Sequence, residues 1–215
     1  MNILSKIDVQ CSTLSYRDIE EAVECIAKTF SLGEPMTSLL QITETEFRYF
    51  ARIFIEKTAQ EGLSVVARNA ETGQFLGCII CEDYVTDLPE GIGMISPNFG
   101  PIVELLDTLG ANYKADNNVA KGEIYHLFMG GVYPQYAGLN IAKTLTEHLE
   151  NMARNKGYSK AIGEVTGPIS QHVYIDKLGY SPMYDISYKD FTFEGNTVFE
   201  AINSCESCIL IVKDL

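Results

Sequence analysis

The sequence predicts an α/β fold in which helices flank a mixed sheet of about seven strands. Two observations predict it. Strand-like and helix-like segments alternate in the second half of the chain, and a hairpin-like pair of apolar runs, separated by the turn NAETG, precedes them. The predicted strands are residues 7–14, 63–68, 74–82, 123–132, 160–165, 184–193 and 207–212.

The first two predicted helices have recognisable starts. Ser15 with Asp18, and Thr43 with Glu46, each form a capping-box pattern ahead of an apolar stripe of helical period. The segment SLGEPMT interrupts the chain between these helices, because glycine and proline both disfavour helix continuation. The later predicted helices are residues 141–156 and 169–178.

Residues 84–122 are predicted to be a long irregular loop. The segment contains many Gly, Pro and Asn residues, and only residues 102–109 have a short helical pattern. Loops of this length in compact domains usually have a function, most often lining a site. We therefore expect this segment to border a binding site.

Composition and charge restrict the class of protein and of partner. The chain has 215 residues, 46% hydrophobic and 21% charged, and no linker or repeat divides it, so residues 1–215 are expected to form one domain. Sixteen Lys and Arg against twenty-nine Asp and Glu give a net charge of −13. Such a surface repels phosphate backbones and anionic membranes and attracts cationic amines. We expect a small-molecule partner, and neither nucleic acid nor a membrane.

The sequence shows no signal peptide and no membrane span, so we expect a cytoplasmic location. No apolar run in MNILSKIDVQCSTLSYRD is long enough for a signal peptide, and no other stretch suits a membrane span. The six cysteines are then expected to be free thiols. The CxxC pairs Cys78/Cys81 and Cys205/Cys208 resemble zinc half-sites. Residues three apart in a strand face opposite sides, however, so we expect no metal.

A strand-to-helix turn carries the strongest chemical signal. In GGVYPQYAGLNIAKTLTEHLENMARNKGY, Gln135, Gly138 and Asn140 interrupt the chain just before a helix begins. Backbone N–H groups at a helix start are unpaired and lie at the positive end of the helix dipole, so the turn suits a phosphate or diphosphate. By itself, the pattern also fits an ordinary strand-to-helix connection.

The run from Val132 to Ala142, with Lys177-Leu-Gly-Tyr180 after it, resembles the GCN5-related N-acetyltransferase (GNAT) superfamily. The matching signature is Q/R-x-x-G-x-G/A on the loop after the fourth strand, and the resemblance extends from residue 7 to the end of the chain. It implies the GNAT fold, a mostly antiparallel sheet, and acetyl-CoA as co-substrate. The implied cofactor contacts are Gly131, Val132, Gln135, Tyr136, Ala137, Gly138, Leu139, Asn140, Ile141 and Ala142.

Two further features refine this resemblance. Asn140 stands where the signature has Gly or Ala; Asn tolerates unusual dihedral angles but adds bulk near the phosphates. The segment Leu32-Gly-Glu-Pro-Met36 is similar to the Glu-Pro-Leu motif of insect-type arylalkylamine N-acetyltransferases. The tail KDFTFEG at 189–195 is similar to their carboxyl-terminal region.

Acetyl transfer to an amine needs a base, because an ammonium nitrogen has no lone pair. The resemblance implies Glu34 as this base. Pro35 stiffens the backbone beside Glu34, and burial near a substrate would raise the pKa of its carboxyl group. His126 is the second candidate, since a neutral imidazole accepts a proton near pH 7. The alternatives are a solvated loop acid for Glu34 and a hydrogen-bonded core residue for His126. Glu164, on the next strand, faces either the site or solvent.

Tyr174 is the candidate acid for the leaving thiolate. Many GNAT enzymes have a Tyr where this chain has Ile175, and Tyr174 is one residue earlier, which on an α-helix turns it by about 100°. The alternatives are packing for Tyr174 and unassisted or water-assisted departure of the thiolate.

The resemblance implies a cytoplasmic N-acetyltransferase, monomeric or homodimeric, that transfers acetyl from acetyl-CoA to the primary amine of a small molecule. An arylalkylamine is one such acceptor, and direct transfer in a ternary complex is the family expectation. Two alternatives stay open. One is a non-catalytic acyl-CoA-binding domain, which Asn140 and Ile175 suggest, and the other is a transferase for protein lysines or amino termini.

Overall fold

The computed structural model of this chain describes residues 7–215, so residues 1–6 of the expected domain lie outside it. It contains a seven-stranded sheet in the order β1-β2-β3-β4-β5-β7-β6. The strands are β1 (Val9–Thr13), β2 (Val65–Asn69), β3 (Phe75–Asp83), β4 (Ile124–Val132), β5 (Lys160–Val165), β6 (Ser181–Ser187) and β7 (Ser207–Asp214). Of these neighbouring strands, only β4 and β5 run parallel. The expectation of a mixed, mostly antiparallel sheet is confirmed.

Helices flank the sheet. They are α1 (Ile19–Gly33), α2 (Pro35–Leu39), α3 (Glu44–Glu61), α4 (Gly100–Asp116), α5 (Ile141–Asn155) and α6 (Pro168–Gln171), which continues as a π-helical turn (His172–Lys177). Both predicted capping boxes form, at Ser15 with Asp18 and at Thr43 with Glu46. Among residues 7–215, no helix combines the length and apolar character needed to cross a bilayer.

The prediction of an irregular loop over residues 84–122 is wrong for its second half. That part is α4, a helix of 17 residues. Leu105, Leu109 and Tyr113 recur every fourth residue and are buried, so helical packing outweighs the glycines that suggested a loop. Pro101 sits in the first turn, where a missing N–H is harmless. The expected strand at 184–193 is also shifted, since β6 ends at Ser187.

Different helices cover the two faces of the sheet. α1 and α3 bury one cluster, which includes Cys78, and α5 buries another, which includes Cys81 and Tyr125. The two cysteines thus lie on opposite faces, as their spacing in β3 predicts. On β4, Tyr125 and Leu127 face α5, and the intervening His126 faces the opposite side. In the described part of the chain, no cluster of three or more His, Cys, Asp or Glu residues could hold a metal ion.

Candidate active site

β4 and β5 separate partway along their length. Their parallel pairing runs from Ile124 and Lys160 to Leu127 and Gly163, and no later residues pair. β4 nevertheless stays paired with β3, and β5 stays paired with β7 as far as Val165. We call the resulting gap, between residues 129–132 of β4 and residues 164–165 of β5, the β4–β5 opening.

A bulge in β4 marks the start of this opening. Met129 pairs with Ile80 of β3, and Leu127 pairs with Cys81, so Phe128 has no partner across the ladder. A bulge bends the strand and increases its twist, which helps to turn β4 away from β5. The backbone N–H and C=O groups of β4 on that side are therefore free of sheet pairing.

The loop after β4 leads directly into α5. Pro134–Tyr136 forms one 3₁₀ turn, and Gly138 and Asn140 adopt left-handed conformations, with φ of 80° and 60°. Within residues 7–215, the N–H groups of Gly138, Asn140, Ile141 and Ala142 donate no hydrogen bond to other backbone groups or side chains. They lie at the amino end of a 15-residue helix, where the dipole favours an anion.

The left-handed conformation at position 140 accounts for the departure from the signature. Asn enters this region more readily than most other residues that have a Cβ, so it can stand where Gly is usual. Its side chain does not cap α5. At Gly138, a Cβ would have no neighbour within 4 Å, so the demand for Gly there comes from φ and not from crowding.

Tyr174 faces the β4–β5 opening from the side that α5 covers. Its hydroxyl lies 3.9 Å from the position that a Cβ would take on Gly130 of β4. Burial raises the pKa of Tyr174 to about 12, so the phenol keeps its proton at neutral pH. The expected turn of about 100° between Tyr174 and Ile175 assumes an α-helix, whereas the segment His172–Lys177 is π-helical and has a wider turn. Ile175 lines a surface cavity together with Pro168 of α6 and Cys205.

His126 lies between two buried carboxylates on the opposite face. Its Nε2 is 2.9 Å from Oε2 of Glu164 on β5, and its Nδ1 is 3.4 Å from Oε1 of Glu82 on β3. Burial alone lowers the pKa of an imidazole. The charge of Glu164 and the hydrogen bonds to both carboxylates outweigh burial and raise the pKa of His126 to about 9. The premise of a neutral imidazole near pH 7 is therefore not met.

Glu82 connects this cluster to the protein surface. Its Oε2 accepts a hydrogen bond from Nζ of Lys57 at 2.9 Å, and Lys57 also pairs with Glu61 on the same helix at 2.9 Å. Burial raises the pKa of Glu82, but the hydrogen bond to His126 and the charges of His126 and Lys57 together bring it below its usual value. In this cluster His126 and Lys57 each lie between two carboxylates.

Glu34 caps the short helix α2. Its Oε1 accepts from the N–H of Met36 at 3.1 Å, and its Oε2 accepts from the N–H of Thr37 at 2.6 Å. The neighbouring Pro35 packs against Gly167, just past the end of β5, where a Cβ would come within 3.1 Å of its ring. Glu34 therefore lies near the same end of β5 as Glu164, with both carboxylate oxygens bound by backbone.

Sequence reasoning left two members of the histidine cluster without a role. The sequence alone leaves Glu164 facing either the site or solvent, and it indicates no role for Glu82. A signal for Glu164 is present in the sequence, since it stands between the apolar residues Ala161 and Ile162 and the apolar Val165 on one strand. A carboxylate there needs a partner, and the parallel neighbour strand holds a histidine.

Comparison with known proteins gives likeness in structure only. No protein-family model matches the sequence, and no curated protein matches it in sequence. The C-terminal condensation domain of Ebony, solved in complex with β-alanyl-dopamine, is 18% identical with a TM-score of 0.88; the match covers 97% of this chain and 100% of that one.

Two solved N-acetyltransferases of insects are also similar. Arylalkylamine N-acetyltransferase 2 from Aedes aegypti is 22% identical with a TM-score of 0.78, covering 96% of this chain and 99% of that one. A polyamine N-acetyltransferase of Drosophila melanogaster, which catalyses the formation of N-acetylagmatine, is 20% identical with a TM-score of 0.75, covering 97% and 100%. This chain therefore has the GNAT fold.

Proposed function

We propose that this chain is an N-acetyltransferase that moves the acetyl group of acetyl-CoA onto the primary amine of a small molecule. One observation carries the proposal. The start of α5 has four backbone N–H groups without hydrogen bonds to any described residue, those of Gly138, Asn140, Ile141 and Ala142. The strand that leads into this helix, β4, has an unpaired backbone edge at the β4–β5 opening. A diphosphate and the extended arm of a coenzyme thioester need these two features side by side.

The donor would occupy the side of the sheet that α5 covers. The residues expected to contact it are those of the loop and helix start, with Gly131 and Val132 on the free edge of β4. Gly131 also lets α1 approach closely, since a Cβ there would lie 2.5 Å from Oγ1 of Thr29. In this arrangement the thioester would lie in the opening, within reach of the Tyr174 hydroxyl. Tyr174 is then the proposed donor of a proton to the leaving thiolate.

The acceptor would enter from the opposite face. The net charge of −13 and the buried carboxylates favour a cationic amine. Aromatic rings extend from the surface groove beside α4 toward the opening: Phe99 stacks on Phe50 at 4.7 Å, and Phe128, at the bulge, lies 6.2 Å from Phe50. Arylalkylamines and polyamines are the first acceptors to test, since similar folds act on them.

A second candidate is condensation of a larger acyl group with an amine. It is favoured by the TM-score of 0.88 to a condensation domain bound to β-alanyl-dopamine, which is an amide of an amino acid and an amine. Both candidates form an amide bond between a carbonyl carbon and an amine. They differ in the acyl group, and therefore in the donor.

A thiol-release assay tests the proposal. The full chain is incubated with acetyl-CoA and a panel of arylalkylamines, polyamines and peptides, and with β-alanyl-CoA as a second donor. Thiol release with a small amine, together with the matching amide by mass spectrometry, supports the proposed function. Release from β-alanyl-CoA alone supports the condensation reaction, and release with peptides alone supports a protein acetyltransferase. Binding of acetyl-CoA without release for any acceptor would contradict the proposal in favour of a binding domain.

A further inference from the structure

Glu164 occupies a special position on β5. Gly163 is the last residue of β5 that pairs with β4, so Glu164 is the first residue at the β4–β5 opening. Its side chain points to the face opposite α5, because it meets His126 there. The proposed donor site and Tyr174 lie on the α5 side, so Glu164 borders the opening from the side left for the acceptor.

The carboxylate of Glu164 is held by one oxygen and free at the other. Oε2 lies 2.9 Å from Nε2 of His126, whereas Oε1 makes no hydrogen bond to any described residue. The side chain keeps 9% of its surface exposed. Oε1 is not among the fully buried side-chain atoms of the described residues that lack a partner, so it stays accessible to solvent and to a ligand.

Glu34 differs in this respect. Both of its oxygens accept N–H groups of α2, at 3.1 and 2.6 Å. To take up a proton it would have to weaken the cap of the helix that it starts. Of Glu34 and Glu164, Glu164 is therefore the carboxylate with an oxygen free of hydrogen bonds from the described residues.

We propose that Glu164 is the catalytic carboxylate of the acceptor site, which binds the ammonium group of the amine and takes its proton, and that His126 is its positioning residue. This inference rests on the proposed function and assigns the base to a residue that the sequence motif does not indicate. It also gives the acceptor a definite chemistry, a primary ammonium group that can reach the one oxygen of Glu164 that has no hydrogen bond within residues 7–215.

Acetyl transfer begins when the ammonium group of the acceptor loses a proton. The ammonium nitrogen gives one proton to Oε1 of Glu164 and becomes a neutral amine with a lone pair. That lone pair forms the C–N bond at the thioester carbonyl carbon, and the C–S bond breaks with its electron pair on sulfur. The thiolate takes a proton, the amide nitrogen loses its second proton, and Glu164 returns its own to solvent. The net products are the amide, the free thiol and one proton.

Several titratable and charged groups lie around Glu164. His126 on β4 contacts Glu164 directly. His126 also contacts Glu82 on β3, which in turn pairs with Lys57 on α3. Tyr84 on the chain after β3, Asp107 on α4 and Cys208 on β7 are close enough for the charge of Glu164 to raise the pKa of each, after burial. Lys114 of α4 lies over the Tyr84 ring at 4.8 Å and adds a positive charge on that side.

Glu164→Gln tests the proposal, with Glu82→Gln as the matched control. Both changes are isosteric and remove one carboxylate partner of His126, but only Glu164 borders the opening. With the best amine at pH 7, we expect Glu164→Gln to lower kcat/KM by about 10²- to 10⁴-fold, the usual contribution of a general base. Glu82→Gln should lower it by less than about tenfold, even where both variants lose similar thermal stability. Acetyl-CoA affinity, measured by calorimetry, should be unchanged in both.

Measurements on Glu164→Gln and Glu82→Gln can also contradict the proposed role of Glu164. Equal losses of kcat/KM in the two variants, or full activity and an unchanged pH profile in Glu164→Gln, would overturn the role of Glu164 and leave the proposed function intact. A wild-type chain that releases no thiol with any amine would overturn the proposed function itself. Glu164→Asp keeps the charge but retracts the oxygen; partial recovery of kcat over Glu164→Gln supports the catalytic role, and no recovery contradicts it. For His126→Gln, we expect a fall in kcat and a shifted pH profile with an unchanged donor affinity.

Discussion

Oε2 of Glu164 and Nε2 of His126 lie 2.9 Å apart and connect the two strands of the parallel pair. The pair sits at the point where these strands begin to diverge, and it is largely buried. Taking two charged groups out of water is unfavourable unless the attraction and the hydrogen bonds between them compensate. A site for a cationic substrate gives a physical reason to keep such a pair where an apolar contact would also hold the strands together.

The ionisation of His126 should appear in the pH dependence of stability. Its pKa is about 9 in the folded chain, against about 6.5 for an exposed histidine. Because the folded-state pKa is the higher one, the stabilisation is complete below about pH 6.5 and is lost as the pH rises through 9. At about 1.4 kcal/mol per pKa unit, the loss is on the order of 3 kcal/mol. Urea unfolding at pH 6 and at pH 10 measures it.

The control for this prediction is His126→Gln. The variant should be less stable than wild type at pH 6, because Glu82 and Glu164 then lack their shared cation, and the difference should shrink by pH 10. An NMR titration gives the pKa of His126 directly. A ring that titrates near 6.5 would contradict the geometry of the cluster.

Glu34 is expected to act mainly as a helix cap. Removing a capping side chain usually costs about 0.5–2 kcal/mol, so Glu34→Ala should lower the free energy of unfolding by about 1 kcal/mol. Glu34→Ser should restore most of that loss, since Ser caps helices well, but it lacks a carboxylate. If Glu34 were the base, as the sequence motif implies, Glu34→Ser would be stable and nearly inactive. We expect it to be stable and to retain kcat within about tenfold, well short of the loss on removing a general base.

Much of the fold could be predicted from local patterns. The capping boxes at Ser15 and Thr43 mark real helix starts, because their hydrogen bonds involve only residues three apart. Only the part of α4 at residues 102–109 is predicted as helical, because its two glycines and its proline suggest a loop, whereas burial of Leu105 and Leu109 depends on β-strands and tail segments far away in sequence. Tertiary packing decides such cases, and a single sequence does not display it.

The candidate site divides in the same way. The loop from Gln135 to Asn140, the proposed diphosphate cradle, is suggested by the sequence because such a cradle is made by consecutive residues. The pairing of His126 with Glu164 joins residues 38 apart through strand register, and no local pattern encodes that. Tyr174 lies in a π-helical turn, which residue counting on an α-helix does not anticipate.

Gly138 is expected to control donor affinity through its backbone. Its φ of 80° is rare for residues with a Cβ, so Gly138→Ala should shift the loop and weaken acetyl-CoA binding by about tenfold, for a strain of about 1–2 kcal/mol. Gly157, at the other end of α5 with φ of 92° and equally open surroundings, is the matched control. Gly157→Ala should lower stability by a similar amount and leave the donor Kd unchanged. Equal donor affinity in the two variants would argue against the loop as a diphosphate cradle.

Tyr174 is expected to affect the chemical step and not donor binding. Its hydroxyl lies near Gly130 at the opening, and its pKa of about 12 keeps a proton available at neutral pH. Removing a general acid usually costs about 10²–10⁴-fold in rate, so Tyr174→Phe should lower kcat by about a hundredfold with little change in KM for acetyl-CoA.

Tyr180→Phe is the control: Tyr180 stacks edge-on against Tyr174 at 5.3 Å, and its buried hydroxyl has no hydrogen-bond partner in the described part of the chain. That variant should keep wild-type kcat, because it removes a hydroxyl that donates to nothing. Single-turnover thiol release measures both, and wild-type kcat in Tyr174→Phe would show that the thiolate leaves without help from this residue.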